Sequence, residues 1–248
     1  MRIAVLADIH GNIRALEAVR ADMARHSPDV VVNLGDHVSG PLDAALTADL
    51  LMAETCVHIC GNHDRQVTTL ALDEMGPSDR AAHWELLDRH LAWLCCLPPT
   101  YTLDAGVLLC HGSPDDDLQY LLEDVVGDGV GLASPETIEQ RLGAVHAGLI
   151  LCGHTHIPRS VRLPAGTWIV NPGSVGLPAY EDDSPPRHYV ETGSPHARYA
   201  IVDWERSSAR VEHIALEYDW EAASAQARAG NRPDWAHALA TGFALKAR

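Results

Sequence analysis

The sequence predicts an α/β fold, and three observations carry that reading. Short aliphatic runs alternate with stretches of helical periodicity, beginning with 2–7, 13–26 and 30–34. A strand–helix–strand order of this kind makes the first two strands parallel. Polar motifs stand directly after predicted strands, where α/β sheets build their sites.

The elements follow in order. Arg2–Ala7 is an aliphatic run and reads as a buried strand. Ile13, Leu16, Val19 and Met23 mark an amphipathic helix to about His26, with Asn12 as its N-cap. Val30–Leu34 is the next strand. Leu42 to Glu54 is helical by pattern, with Leu46 and Leu50 on one face. Cys56–Cys60 is a short strand. From Arg65 to Leu97 the pattern is helical, interrupted at Gly76–Pro77–Ser78; Ser78 or Asp79 could cap the second piece. There Trp84, Leu87, Leu91 and Leu94 form a stripe that reads as core packing. Tyr101–Leu103 and Val107–Cys110 flank Asp104–Ala105–Gly106 as a hairpin.

Ser113, Pro114 and Asp115–Asp117 carry the signature of a helix start. Residues 124–133 are glycine-rich and read as a loop. Ser134–Pro135–Glu136 begins a helix to about His146, and Gly148–Cys152 is a strand. Ser160–Leu163 and Thr167–Val170 form a hairpin. The proline-rich stretch 178–197 is expected as a surface loop. Arg198–Trp204 and Arg210–Glu217 form another hairpin, and two short helices follow Asp219 and Arg232. With no repeat and no long linker, one domain over 1–248 is expected: a core over 1–176, then the hairpin and helices of 198–248.

Composition bounds the function. At 248 residues the chain needs no disulfide or metal staple to hold a core. No apolar run reaches the roughly 18 residues of a membrane span. The apolar start of the chain is too short for a signal peptide. A cytoplasmic protein with reduced thiols is expected. The net charge of −16, with Lys246 the only lysine, argues against a nucleic-acid polymer as partner. An acidic protein can bind a small phosphate ester where metal ions supply the positive charge. The cysteines make no zinc pattern. Cys60, Cys110 and Cys152 each end an aliphatic run; they read as small buried strand residues or, alternatively, as thiols within reach of a site.

The motifs that follow strands are Asp8-x-His10, Gly35–Asp36, Gly61–Asn62–His63–Asp64, His111 and Gly153–His154–Thr155–His156. Gly61 is read as allowing a sharp backbone turn. Gathered on one sheet edge, these motifs bring carboxylates, imidazoles and an amide around one volume. Such nitrogen and oxygen donors suit Mn, Fe, Co, Ni or Zn. They are too many for one tetrahedral ion, and two ions sharing a carboxylate fit better. Two ions roughly 3.5–4 Å apart stabilise attacking and leaving oxygens in a displacement at phosphorus. His37 is read as a bystander, because neighbouring residues at a strand end point to opposite sides.

In this order the five blocks resemble those of the calcineurin-like metallophosphoesterase superfamily. Asp8–Ile9–His10–Gly11–Asn12 and Asn171–Pro172–Gly173–Ser174–Val175 are similar to its compact bacterial and archaeal YfcE-like branch. The resemblance implies a four-layer sandwich, two mixed β-sheets between helical layers. It implies that Asp8, His10 and His156 bind one divalent ion and Asn62, His111 and His154 another, with Asp36 bridging. It implies that His63 donates a proton to the leaving oxygen and that Asp64 orients it. The activity implied is hydrolysis of a small phosphodiester by in-line attack of a metal-bound hydroxide, with Mn expected ahead of Ni, Co, Fe or Zn. The arginine of the G-D-x-x-D-R-G pattern is absent at Gly35–Asp36–His37–Val38–Ser39–Gly40, which argues against a protein substrate. A phosphomonoesterase or nucleotide phosphatase is the alternative. A non-catalytic module on the same fold, like the retromer subunit, has no need of His63. Homo-oligomer formation is left open.

Overall fold

The computed structural model describes residues 1–103, 106–184 and 186–246. Two five-stranded mixed sheets form its centre. The first comprises β1 (Arg2–Leu6), β2 (Val30–Asn33), β3 (Val57–His58), β13 (Ala197–Glu205) and β14 (Ser208–Leu216), in the order β14-β13-β1-β2-β3. The second comprises β4 (Thr100–Leu103), β5 (Val107–Cys110), β8 (Leu149–Leu151), β9 (Arg159–Arg162) and β10 (Trp168–Asn171), in the order β4-β5-β8-β10-β9. β1, β2 and β3 run parallel, as do β5, β8 and β10; β13 pairs antiparallel with β1 and β14 with β13, and β4 and β9 close the second sheet antiparallel.

The period-2 alternation of side chains sets the layering. Ile3 and Val5 of β1 face Val107, Leu109, Leu149 and Leu151 across the gap between the sheets. Ala4 and Leu6 turn outward onto Leu16 and Val19 of helix α1 (Ile13–Met23). Ile150, Cys110 and Cys152 turn the other way, onto Ile138 and Leu142 of a later helix, Pro135–Leu142. Helix, sheet, sheet and helix therefore stack in four layers. Each fully buried aliphatic side chain stabilises this core by about 1.5–3 kcal/mol.

The remaining elements are α2 (Ala44–Met52), α3 (Asn62–Thr69), α4 (Pro77–Glu85), α5 (Asp88–Cys95), α6 (Pro135–Leu142), α7 (Trp220–Ala229) and α8 (Pro233–Thr241), with two small hairpins. Asn12, Ser134 and Asp219 cap their helices by accepting from Ala15, Thr137 and Ala222 N–H, respectively.

Several expectations need correction. The buried face of α2 is Ala44, Thr47, Ala48 and Leu51, and Leu46 is exposed. The helical stretch breaks again at Leu86–Leu87, which rotates Trp84 and Leu87 out of the stripe to 72% and 50% exposure; Leu94 stays buried. α4 starts from Gly76 with Pro77 in its first turn, so neither Ser78 nor Asp79 is the cap. No helix follows Ser113. Its N–H and hydroxyl bond the carbonyl of Asp116 in a tight turn, and Asp117 pairs with Arg65. The glycine-rich stretch is a hairpin, β6 (Glu123–Val126) and β7 (Gly129–Leu132), turning at Gly127 with φ +65°. The proline-rich stretch contains a second one, β11 (Ala179–Asp182) and β12 (His188–Glu191), with Tyr189 N–H bonding Asp128 O. Both were hidden by turn-forming composition; pairing across the hairpin outweighs it. Asp104 and Ala105 of the expected 101–110 hairpin turn lie outside the described residues, as does Pro185 of the 178–197 stretch. Among the described residues no helix is long and apolar enough to cross a membrane.

Candidate metal centre

The parallel strands of both sheets end on one side, and each polar motif begins where its strand stops. Backbone hydrogen bonds tie these ends together: Asp8 N–H to Gly35 O, His10 N–H to Asp36 O and Gly153 N–H to His111 O, at 3.0, 2.9 and 2.7 Å. The turns are strained. Among the described residues, eight non-glycine residues have positive φ, and five of them are Asp8, His10, Asp36, His154 and His156. A left-handed backbone costs an L-residue free energy, so a cluster of them on chemically reactive side chains is a site signature. Gly61 is needed for a different reason from a turn. Its φ is −91°, but a Cβ there would lie 2.3 Å from Asp36 Oδ1.

Two groups of ligand atoms converge, each within 4.8 Å of one another: Asp8, His10 and His156, and Asp36, His111 and His154. Asn62 Oδ1 joins the second group, 3.0 Å from His111 Nε2. Asp36 lies between the groups, with Oδ2 3.3 Å from His111 Nε2 and 3.9 Å from His10 Nε2.

The imidazoles are oriented by backbone carbonyls. Nδ1–H of His10, His111 and His156 donates to Ser39 O, Leu34 O and Leu177 O, at 2.9, 2.7 and 2.7 Å. Nε2–H of His154 donates to Leu118 O at 3.1 Å. A carbonyl can only accept, so each contact places one ring proton and aims the other nitrogen into the site, where it is a ligand once it carries no proton. Burial lowers His10 to about 4 and His156 well below its ordinary value, so both rings are neutral at pH 7. Their Nε2 lone pairs then face each other across 3.2 Å. Two acceptors so close repel unless a cation lies between or beside them. Asp8 Oδ2, fully buried, has no hydrogen-bond partner among the described residues. These donors fit divalent metal ions.

The carboxylates are tuned in opposite directions. Burial raises Asp8 to about 8. Burial also pushes Asp36 upward, but the charges of His111 and His63 override it and hold Asp36 well below the carboxylate range.

Residues 1–205 match the calcineurin-like phosphoesterase superfamily domain. The chain belongs to this superfamily. An uncharacterized protein of Methanocaldococcus jannaschii is 26% identical over 257 residues, covering 94% of each chain. A metallophosphoesterase structure from Sphaerobacter thermophilus is similar at 27% identity and TM-score 0.74, over 98% of this chain and 99% of that one. A hypothetical protein of Pyrococcus horikoshii OT3 shares the fold at 19% identity and TM-score 0.75, with the same coverage.

In this calcineurin-like protein every expected ligand is at the two groups, and His37 is not. The His37 ring turns away to Asp64 and His58. Asp64 itself does not face His63. Its oxygens accept from the N–H groups of Asp36, His37 and Gly61, at 2.8, 3.0 and 2.9 Å, and from His37 Nδ1 at 2.8 Å. It pins the turn that carries Asp36. The carboxylate that orients His63 is Asp79 on α4, whose Oδ1 accepts from His63 Nδ1–H at 2.7 Å and from Ser39 Oγ at 2.7 Å. Burial alone would lower His63. The charge of Asp36 and the hydrogen bond and charge of Asp79 override it and raise the ring to about 9. Nothing local marked Asp79, because its place beside His63 comes from helix packing.

Three aromatic rings cover the site histidines: Trp235 on His10, Tyr180 on His156 and Tyr120 on His154, with ring centroids 5.9, 4.7 and 5.2 Å apart. The site opens into a cavity of about 600 Å³ walled by α4, the β11–β12 hairpin and α8. Cysteine thiols take no part in either group. Burial raises Cys110 to about 12, which favours the protonated thiol near neutral pH.

Proposed function

We propose that this protein is a metal-dependent phosphodiesterase acting on a small phosphate ester, and that Asp8, His10 and His156 hold one divalent ion, and Asn62, His111 and His154 a second, with Asp36 shared. Bound there, such ions supply positive charge to the phosphate and stabilise the attacking and leaving oxygens of an in-line displacement. Manganese is the metal we expect, given the mixed nitrogen and oxygen donors.

The chain's own residues do the rest. His63, charged near neutral pH and held by Asp79, delivers its Nδ1-anchored ring's Nε2 proton to the departing alkoxide. Backbone carbonyls fix the remaining rings, and Trp235, Tyr180 and Tyr120 pack against those of His10, His156 and His154.

The observation that carries a diester over a monoester is the charge of the cavity. Away from the two groups the described residues of its wall include the carboxylates of Asp79, Glu181, Asp182, Asp183 and Asp234, against the guanidinium of Arg232 and the charged ring of His63. A diester has one negative charge, and a monoester near pH 7 approaches two, so this wall disfavours the monoester. The same acidity and the net charge of −16 disfavour a nucleic-acid polymer.

The test is hydrolysis of bis-p-nitrophenyl phosphate and p-nitrophenyl phosphate by manganese-loaded protein. The expected diester-to-monoester ratio of kcat/KM is above one. A ratio well below one makes the protein a phosphomonoesterase, and no turnover of either ester overturns the enzymatic reading.

A further inference from the structure

The cavity wall contains one lysine or arginine among its described lining residues, Arg232, and it comes from the segment leading into α8, outside the residues matched by the superfamily domain. Its guanidinium is fixed from two sides. Nε–H donates to Asp234 Oδ1 at 3.0 Å and Nη2–H to Asp234 Oδ2 at 2.6 Å, while Nη1–H donates to Ser78 Oγ at 3.0 Å. The side chain is 19% exposed and lies 5.6 Å from the centroid of the Trp235 ring.

These anchors are neighbours of the reactive groups. Trp235 packs edge-on against His10, and Ser78 precedes Asp79, which bonds His63. Arg232 is thus one residue removed from each flank of the site. A guanidinium has five N–H donors. The contacts to Asp234 and Ser78 leave one hydrogen on each terminal nitrogen without a partner among the described residues. A planar pair of N–H donors suits two oxygens of one phosphate.

We infer that Arg232 binds a non-bridging oxygen of the substrate phosphate and sets the affinity of the cavity for it. This inference rests on the phosphoesterase reading given above. Among the described lining residues the charged groups besides Arg232 and the histidines are carboxylates, so an anion that enters meets Arg232 as the one arginine or lysine there. Asp234 lowers the local charge and preorganises the fork, so the guanidinium loses little freedom when an oxygen arrives. A purely structural role, pinning the start of α8 to α4 through Ser78, is the competing account.

The experiment compares Arg232→Ala, Arg232→Lys and Ser78→Ala in manganese-loaded protein. The first readout is calorimetric binding of inorganic phosphate, which needs no turnover. Arg232→Ala is expected to weaken phosphate by about tenfold or more, the scale of a charge-assisted hydrogen bond. Arg232→Lys keeps the charge, protects the fold, and should recover only part of the affinity because the fork is lost. Ser78→Ala removes the pin and leaves the guanidinium, so phosphate binding should stay within about threefold of wild type. The second readout is bis-p-nitrophenyl phosphate hydrolysis. KM should rise more than kcat falls in Arg232→Ala, and added guanidinium ion should restore part of the loss. Wild-type phosphate affinity in Arg232→Ala overturns the inference. So does a loss in Ser78→Ala as large as in Arg232→Ala, without guanidinium rescue. If wild-type protein turns over no ester, the enzymatic reading fails by itself, and the phosphate affinities still decide the role of Arg232.

Discussion

The Nδ1 of His63 lies 2.7 Å from Oδ1 of Asp79, sixteen residues away on another helix, whereas the adjacent Asp64 bonds the turn behind it. The two carboxylates therefore carry different tasks, and substitutions should separate them.

His63→Ala should keep both metals, because the ring is outside the two ligand groups. Its rate on an alkyl diester should fall by about 10²–10⁴, the usual contribution of a positioned acid. The loss should shrink on a p-nitrophenyl ester, whose leaving group departs with less help. Equal losses on both esters would mean that the ring grips phosphate and transfers no proton.

Asp79→Asn tests the orienting carboxylate through pH. Asp79 helps to raise His63 to about 9. A general acid is lost as pH rises through its pKa. Removing the carboxylate lowers that pKa, so the basic limb of log kcat/KM against pH should move to lower pH. A limb that stays in place, with metals retained, would assign that limb to a group other than His63.

Asp64→Ala should act first on stability. It removes the acceptor of three buried backbone N–H groups and of the His37 ring. Buried donors left unsatisfied cost about 1–3 kcal/mol each. A loss on the order of 3 kcal/mol in urea unfolding is expected, and rate per folded molecule should fall less than in His63→Ala.

Asp36→Asn should lower metal content together with rate, since Asp36 is the carboxylate between the two groups. Metal analysis by mass spectrometry is the measurement. Two ions per chain with full activity in this variant would sink the shared-carboxylate assignment.

Cys110→Ala and Cys152→Ala should cost about 1 kcal/mol of stability each and leave more than a tenth of the activity. Both thiols pack against α6, behind the sheet. A loss of several orders of magnitude with metals still bound would place a thiol in the chemistry.

Sequence by itself determined most strands of the two large sheets, the parallel pairing of the first two and the side chains at their ends. Those are local matters. The unbroken aliphatic runs 3–6 and 149–151 mark strands buried on both faces, and a motif that follows a strand can only stand at its end. Hence Asp8, His10, Asp36, Asn62, His111, His154 and His156 were legible as one constellation before any coordinate. Tertiary structure alone decided what surrounds them. Asp79 reaches His63 because α4 packs over α3. Trp235 and Arg232 reach the cavity because α8 folds back from the far end of the chain, and Tyr180 because a proline-rich stretch pairs as a hairpin. The turn at Leu86–Leu87 and the hairpins at 123–132 and 179–191 were missed for the same reason. Local propensity there is weak or contrary, and contacts made across the chain outweigh it.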